Sequence, residues 1–275
     1  MSLEREVARV TGRAVAALRR VGGGDINDAY RVEFDDGGSA FVKTRADAPA
    51  GEYEAEAAAL RWLGEPGGVG VPEVLGASDE LLALEWLQES GAGDAAAFGG
   101  GLAIVHGAGA ERFGGTAPLR IGRLTLPNDP LDDWPQFYAE RRLRPLIEPA
   151  RLSAAGTRAV EAVCDRIADL AGPPEPPARL HGDLWSGNVL WSDGRPFLID
   201  PIAYGGHREI DLAMLQLFGS PAPGFFAAYE DVAPPADGWR DRIPLYQLFP
   251  LLVHAALFGG GYAASVERAA RKYAG

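Results

Sequence analysis

"RLHGDLWSGNVLWSDGRPFLIDP" (residues 179–201) sets His181, Asp183 and Asn188 on one short loop, then returns a further polar side chain, Asp200, at the end of the next apolar run. A turn whose Asp and Asn cap backbone groups explains any one of these residues. Four in this order, around a pair of short strands, call for chemistry. The spacing is H-x-D-x-x-x-x-N with a strand-terminal aspartate behind it, the pattern of a phosphoryl-transfer loop.

The residue types suit that chemistry. Asp183 can reach an acceptor hydroxyl, orient it and take its proton. Five residues on, the amide oxygen of Asn188 can ligate Mg²⁺ on the opposite side of the transferred group. Asp200 supplies a second hard oxygen ligand of the kind Mg²⁺ prefers. Asp211, in "REIDLAML", stands among apolar neighbours and is expected to accept backbone N–H groups of the loop, because an unpartnered carboxylate there is costly.

Working toward the N-terminus, "AYRVEFDDGGSAFVKTR" (29–45) alternates Tyr30, Val32 and Phe34 with Arg31, Glu33 and Asp35, then turns at Gly37-Gly38 into a second apolar run. This is a β-hairpin, and residues 14–21 pair upstream as a third antiparallel strand. Lys43 falls on the last strand, where a phosphotransferase needs a cation on the α- and β-phosphates. Its carboxylate partner is sought on the helix predicted over 51–63, "GEYEAEAAALRWL". Glu56 is preferred because it stands one turn before the core residue Leu60, with Glu52 and Glu54 as competitors. Gly22, Gly23 and Gly24 could present backbone N–H groups to phosphates or form an ordinary hairpin turn. No helix follows them, so a dinucleotide-binding loop fails its context.

Two more strand-like runs, "VPEVL" (71–75) and "LLALEWL" (81–87), complete a small sheet. With a short helix over 2–11, residues 1–87 form a β-rich N-terminal lobe, and "QESGAGD" (88–94) a polar connector. Residues 88–275 are mainly helical, over 94–106, 131–148, 153–171, 208–218, 243–258 and 263–273, interrupted by short strands in 179–200. A cleft between two such lobes is where ligands sit.

Composition agrees. The 275 residues carry a net charge of −12, which argues against a nucleic-acid partner. The single Cys164 excludes an intramolecular disulfide framework, fits a reducing compartment and reads as helix packing. No apolar run reaches the roughly 18–20 residues of a membrane span, and "MSLEREVARV" is too charged for a secretory signal. A cytoplasmic protein is expected, and nothing sets its oligomeric state. His106 and His254 stand on apolar helical faces and read as core histidines; so few His and Cys make zinc improbable.

With these residues in hand, the chain resembles the fructosamine kinase (ketosamine kinase) family, within the aminoglycoside- and choline-kinase-like group. "GGGDINDAYRV" is similar to the family's phosphate loop, "FVKTR" to its lysine strand and "YEAEAAALRWL" to its glutamate helix. "HGDLWSGNVLW" and "DPIAYGGHREIDLAMLQLF" are the most specific stretches, and "IGRLTLPND…DDWPQFYAERRL" is similar to the acceptor side. Ser186 stands where the family has glycine, Gly205 where tyrosine is common, and "RLTLP" (123–127) replaces a Thr-Pro-Gln segment. The resemblance implies an α+β, two-lobed, protein-kinase-like fold and ATP-dependent, Mg²⁺-dependent phosphorylation of the C3 hydroxyl of ketosamines. The acceptor would be a small molecule or a glycated amine. It places adenine against the hinge backbone at Glu85, Trp86 and Leu87, with phosphates at Lys43, Gly23 and Gly24. Trp185, His207 and Arg208 become acceptor or scaffold residues beside His181. Asp132, Asp133 and Glu140 are read as solvated helix charges in preference to a site for the acceptor's cationic nitrogen.

Overall fold

Alternating apolar positions in the N-terminal third build one antiparallel sheet. The computed structural model describes residues 2–22 and 27–274. Strands β1 (Val15–Val21), β2 (Asp28–Phe34), β3 (Ser39–Thr44), β4 (Val74–Ala77) and β5 (Leu81–Glu85) pair in the order β1-β2-β3-β5-β4. Helix α1 (Leu3–Thr11) packs Val7 with Val32, Phe34, Val42 and Leu81. Helix α2 (Glu52–Gly64) packs Tyr53, Ala57 and Leu60 with Leu82 and Leu84. The strand expected over 71–75 begins later, at Val74, because Pro72 has no N–H for a ladder.

The rest is mainly helical. Helix α3 (Ala95–Gly107) starts at Asp94, whose carboxylate accepts the N–H groups of Ala96 and Ala97. A hairpin follows, β6 (Leu119–Ile121) with β7 (Leu124–Leu126), which the sequence analysis did not identify. The single helix expected over 131–148 begins at Trp134, capped by Asp133, and is not uniform. It runs as α4 (Trp134–Phe137), a π-helical stretch (Tyr138–Leu143) and α5 (Arg144–Ile147). Pro145 gives the reason: its ring excludes the bond to the Arg141 carbonyl, which the Arg142 side chain takes instead at 3.0 Å. The helix expected over 153–171 is interrupted at Arg166, giving α6 (Ala154–Asp165) and α7 (Ile167–Leu170).

Short strands β8 (Ala178–Leu180), β9 (Val189–Ser192), β10 (Arg195–Leu198) and β11 (Tyr204–Gly206) form two antiparallel pairs, the hairpin β9 with β10 and the long-range pair β8 with β11. Helix α8 is limited to Glu209–Met214 rather than 208–218, and α9 (Phe225–Val232) is a helix the sequence analysis missed. The segment expected as one helix over 243–258 is two, α10 (Trp239–Tyr246) and α11 (Leu248–Phe258), parted at Gln247. Helix α12 (Gly261–Arg271) closes the fold.

One apolar cluster crosses from the sheet half to the helical half. Leu63 of α2 and Val69 pack in it with Phe98, Leu102, Leu184, Val189, Leu198 and Leu212. The connector over 88–94 is pinned as well: Ser90 N–H donates to Trp191 O at 2.8 Å, and Gly194 N–H to Ser90 Oγ at 3.2 Å.

Candidate active site

The loop between β8 and β9 is shaped by backbone before any side chain acts. Gly182 has φ +86°, and a Cβ there would meet Ile202 O at 2.5 Å, so only glycine fits. The buried carboxylate of Asp211, on α8, accepts the N–H of His181 at 2.7 Å and of Gly182 at 3.0 Å. It also takes His106 Nε2 at 3.2 Å, and His106 Nδ1 lies 2.8 Å from Tyr229 Oη. His106 is thus a satisfied core histidine, and Asp211 ties α3 and α8 to the loop.

His181 is fully buried and braces the next segment. Its Nε2–H donates to Ile199 O at 2.9 Å, which leaves Nδ1 to accept Asp183 N–H at 3.3 Å. Asn188 donates from Nδ2 to Asp183 O at 2.8 Å and Asp183 Oδ2 at 3.2 Å, and its own carbonyl accepts Ile199 N–H at 3.1 Å. Asp183 and Asn188 are therefore fixed to each other and to the strand leading to Asp200. Burial pushes the Asp183 carboxyl up from its ordinary value, against the pull of His181 and His254. Asp200 adopts φ +53°, a left-handed conformation that aspartate tolerates better than most residues.

The sheet supplies the cation. Lys43, 6% exposed on β3, places Nζ 2.5 Å from Glu56 Oε2 and 2.7 Å from Asp200 Oδ1. Of the three glutamates on α2, Glu56 reaches the lysine; Glu52 instead pairs with Arg45 at 2.9 Å. Burial opposes the charge on Lys43, but the two carboxylates outweigh it and hold the ammonium above its ordinary range. The second oxygen of Glu56 is buried and has no hydrogen-bond partner among the described residues. Tyr53, also on α2, donates to Asn27 Oδ1 at 3.0 Å. Gly23 and Gly24, the expected phosphate contacts, lie outside the described residues.

At the hinge, Glu85 is occupied: its N–H donates to Glu73 O and its carboxylate accepts Glu73 N–H, both at 2.9 Å. Trp86 N–H donates to Ser39 O at 3.3 Å, under the guanidinium of Arg31. Leu87 N–H has no backbone partner among the described residues.

The remaining expected residues separate into two groups. His207 lies in the core, stacked on Tyr246 with centroids 5.2 Å apart, and Arg208 forms a fork to Glu175 at 2.7 and 2.8 Å. Both serve the scaffold of the helical half. Trp185, by contrast, is 38% exposed and meets Phe218 edge-on at 6.3 Å; Phe218 lies 4.9 Å from the His254 ring, which lies 5.0 Å from Tyr262. The expectation of a core His254 is thus corrected: it is half-buried on an aromatic strip, with Nδ1 2.8 Å from Pro250 O. Its apolar neighbours Leu252, Val253 and Ala255 hid this, since they fill the buried face of α11. Helical phase relative to Phe258 and Tyr262 was the available signal. Asp132 pairs with Arg112 and Glu140 with Arg144 at the surface.

Oxygen donors of this kind fit a magnesium ion. Asn188 turns its amide nitrogen to Asp183, leaving its oxygen, and Asp200 commits only one oxygen to Lys43. Among the described residues no cluster of three or more His, Cys, Asp or Glu side chains could hold a metal alone, so a hard cation here would share phosphate or water oxygens.

Comparison with known proteins agrees with this arrangement. The profile described as fructosamine kinase matches residues 1–274. A probable ketoamine kinase of Enterococcus faecium is 36% identical over 256 residues, covering 90% of this chain and 91% of the relative. One from Thermus thermophilus is 38% identical over 251 residues, covering 90% of each. The crystal structure of a candidate fructosamine-3-kinase from Thermobifida fusca superposes with a TM-score of 0.93 at 49% identity, covering 98% of this chain and 97% of that one. A choline kinase from Streptococcus pneumoniae, 17% identical with a TM-score of 0.66 and coverage of 99% and 97%, shares the protein-kinase-like fold. The lysine–glutamate–aspartate cluster, the loop that holds Asp183 to Asn188 and a family match along the whole described length lead to one conclusion: the chain belongs to the fructosamine kinase family and is a phosphotransferase.

Proposed function

We propose that the protein transfers the γ-phosphoryl group of Mg²⁺-ATP to the C3 hydroxyl of ketosamines, the adducts formed when amines are glycated. The observation that carries this reading is Lys43 bridging Glu56 and Asp200, which puts the cation of the sheet against the end of the catalytic segment. Lys43, fixed by Glu56, holds the phosphates. Asn188 and Asp200 would hold the metal, which supplies charge neutralisation on the phosphates when bound. Asp183 orients the acceptor hydroxyl and accepts its proton. The hinge at Glu85, Trp86 and Leu87 takes the adenine, Leu87 N–H having no backbone partner among the described residues.

The strip formed by Trp185, Phe218, His254 and Tyr262 supports a ketosamine acceptor. Aromatic faces suit a sugar ring or an aliphatic amine stem beside the reacting hydroxyl. A 3-phosphate makes the adduct labile, so the cellular role would be deglycation of metabolites or proteins. The test is ATP consumption with ribulosyl-, erythrulosyl- and fructosyl-lysine side by side against choline and an aminoglycoside. Turnover confined to the ketosamines is expected. Preference for another alcohol, or ATP binding without turnover on any acceptor, overturns the reading.

A further inference from the structure

We infer that Arg179 is a positioning residue for the nucleotide half of the site: it fixes the helix carrying Glu56 to the strand that delivers Asp183. The inference rests on the assignment of Lys43 and Glu56 to the nucleotide given above. Arg179 lies on β8, four residues before Asp183, with its side chain 17% exposed. Its Nη1 donates to Trp62 O and to Glu65 Oε2, both at 2.7 Å, and its Nε donates to Gly109 O at 2.9 Å. The guanidinium also sits over the Trp62 ring, 5.0 Å from the centroid. One side chain thus joins the ends of α2 and α3 to the strand entering the catalytic loop.

The contact is directional where the surrounding packing is not. Leu63 of α2 shares an apolar cluster with Leu184 and Val189, the residues following Asp183 and Asn188. Apolar burial holds that end of the helix close to the loop, and Tyr53, Ala57 and Leu60 hold its sheet-facing side on Leu82 and Leu84, but neither contact is directional. The Trp62 carbonyl belongs to the last turn, where carbonyls lack intrahelical partners and a cation is favoured. The planar fork of an arginine fixes the angle at which that carbonyl is met. Glu56 is six residues upstream, about 9 Å along the axis. A tilt of about 10° about the Trp62 end would move it by roughly 1.5 Å, enough to open the ion pair with Lys43.

Steady-state kinetics with ATP and ribulosyl-lysine, run on Arg179→Met and Glu56→Gln singly and together, test this. Arg179→Met keeps the apolar stem over Trp62 and removes the fork. Its kcat/KM for ATP should fall about 10-fold with the acceptor KM within about twofold, and in the Glu56→Gln background it should cost less than about twofold. Equal losses in both backgrounds, matching losses for ATP and acceptor, or no loss at all would overturn the inference. If Arg179→Met does not accumulate as folded protein by thermal melt, Arg179→Lys replaces it, with a loss of about 2- to 5-fold and the same non-additivity expected. An unchanged kcat/KM for ATP in Glu56→Gln alone would overturn the nucleotide-site assignment itself, and the role of Arg179 with it.

Discussion

Asp183 makes few demands on its own packing and many on its neighbours. Its backbone N–H goes to His181, its carbonyl and one carboxylate oxygen to Asn188, which leaves the other oxygen for an acceptor. On the role proposed for Asp183, Asp183→Asn preserves the shape but removes the base, so kcat should fall on the order of 10²–10⁴-fold while ATP affinity, measured by calorimetry, changes little. Near-normal turnover would remove Asp183 from its assigned role. At this scale the grouping of the candidate residues was legible, because Lys43 and Asp200, and Asp183 and Asn188, belong to short stretches marked by their spacing and do come into contact. Glu56 was separable from Glu52 and Glu54 only by helical phase against Leu60. His254 was misjudged because its apolar neighbours in sequence say nothing about which face of α11 the aromatic strip covers. Gly205 shows a further limit: a Cβ there would lie 2.0 Å from Arg112 O, so the tyrosine common at this position cannot fit this backbone. That contact is long-range and invisible in the chain order.

Elements that hold the loop should matter as much as residues that react. Asp211, fully buried, accepts two backbone N–H groups of the loop and meets His106. In Asp211→Asn one acceptor becomes an amide donor facing another donor. Urea unfolding should show a loss of about 1.5–3 kcal/mol, the range for hydrogen bonds to a charged group, and kcat should drop with it; an unchanged midpoint would show the loop is held otherwise. The junction of β11 and α8 gives a pH-dependent counterpart. Burial lowers His207 from its ordinary value to about 4, with Glu175 opposing. The unfolded chain therefore takes up the proton first as pH falls. This contribution is intact above about pH 6.5 and is lost progressively toward pH 4, on the order of 3 kcal/mol in all. His207→Phe keeps the stacking on Tyr246 and should flatten the fall in melting temperature over that window; an equally steep fall would place the acid sensitivity elsewhere. The sheet and α2 were legible because period-2 and period-3.6 patterns are long there. Helix α9 was not: eight residues between glycine- and proline-rich segments carry too little period, and its packing against α3 supplies the order. The β6–β7 hairpin, three residues a side, has the same difficulty.

At the scale of the whole molecule, Lys43 lies against Asp200, so on the proposed function the phosphates of a nucleotide would compete with that carboxylate for the ammonium. That competition would take place in a protein whose net charge of −12 opposes an anionic ligand. Asp200 is 55% exposed on its side chain, within reach of solvent cations. If Asp200 is a metal ligand as proposed, a divalent cation there would offset the lost pairing, and ATP and Mg²⁺ should bind cooperatively. Because Leu63 and Val69 share a cluster with Leu184, Val189 and Leu198, both halves should unfold in one transition that reports the binding. At a ligand concentration 100 times Kd the stabilisation is about 2.7 kcal/mol, which for a chain of this size raises Tm by roughly 5–10 °C. That shift is expected with ATP and Mg²⁺ together, and a much smaller one with ATP in chelator. Asp200→Ala should abolish magnesium-dependent transfer and also remove the difference between the two shifts, because Lys43 then has only Glu56 to hold it. Equal shifts with and without Mg²⁺ in the unaltered protein, or a difference that survives Asp200→Ala, would dissociate Asp200 from the metal and leave the Lys43 contact as a structural ion pair.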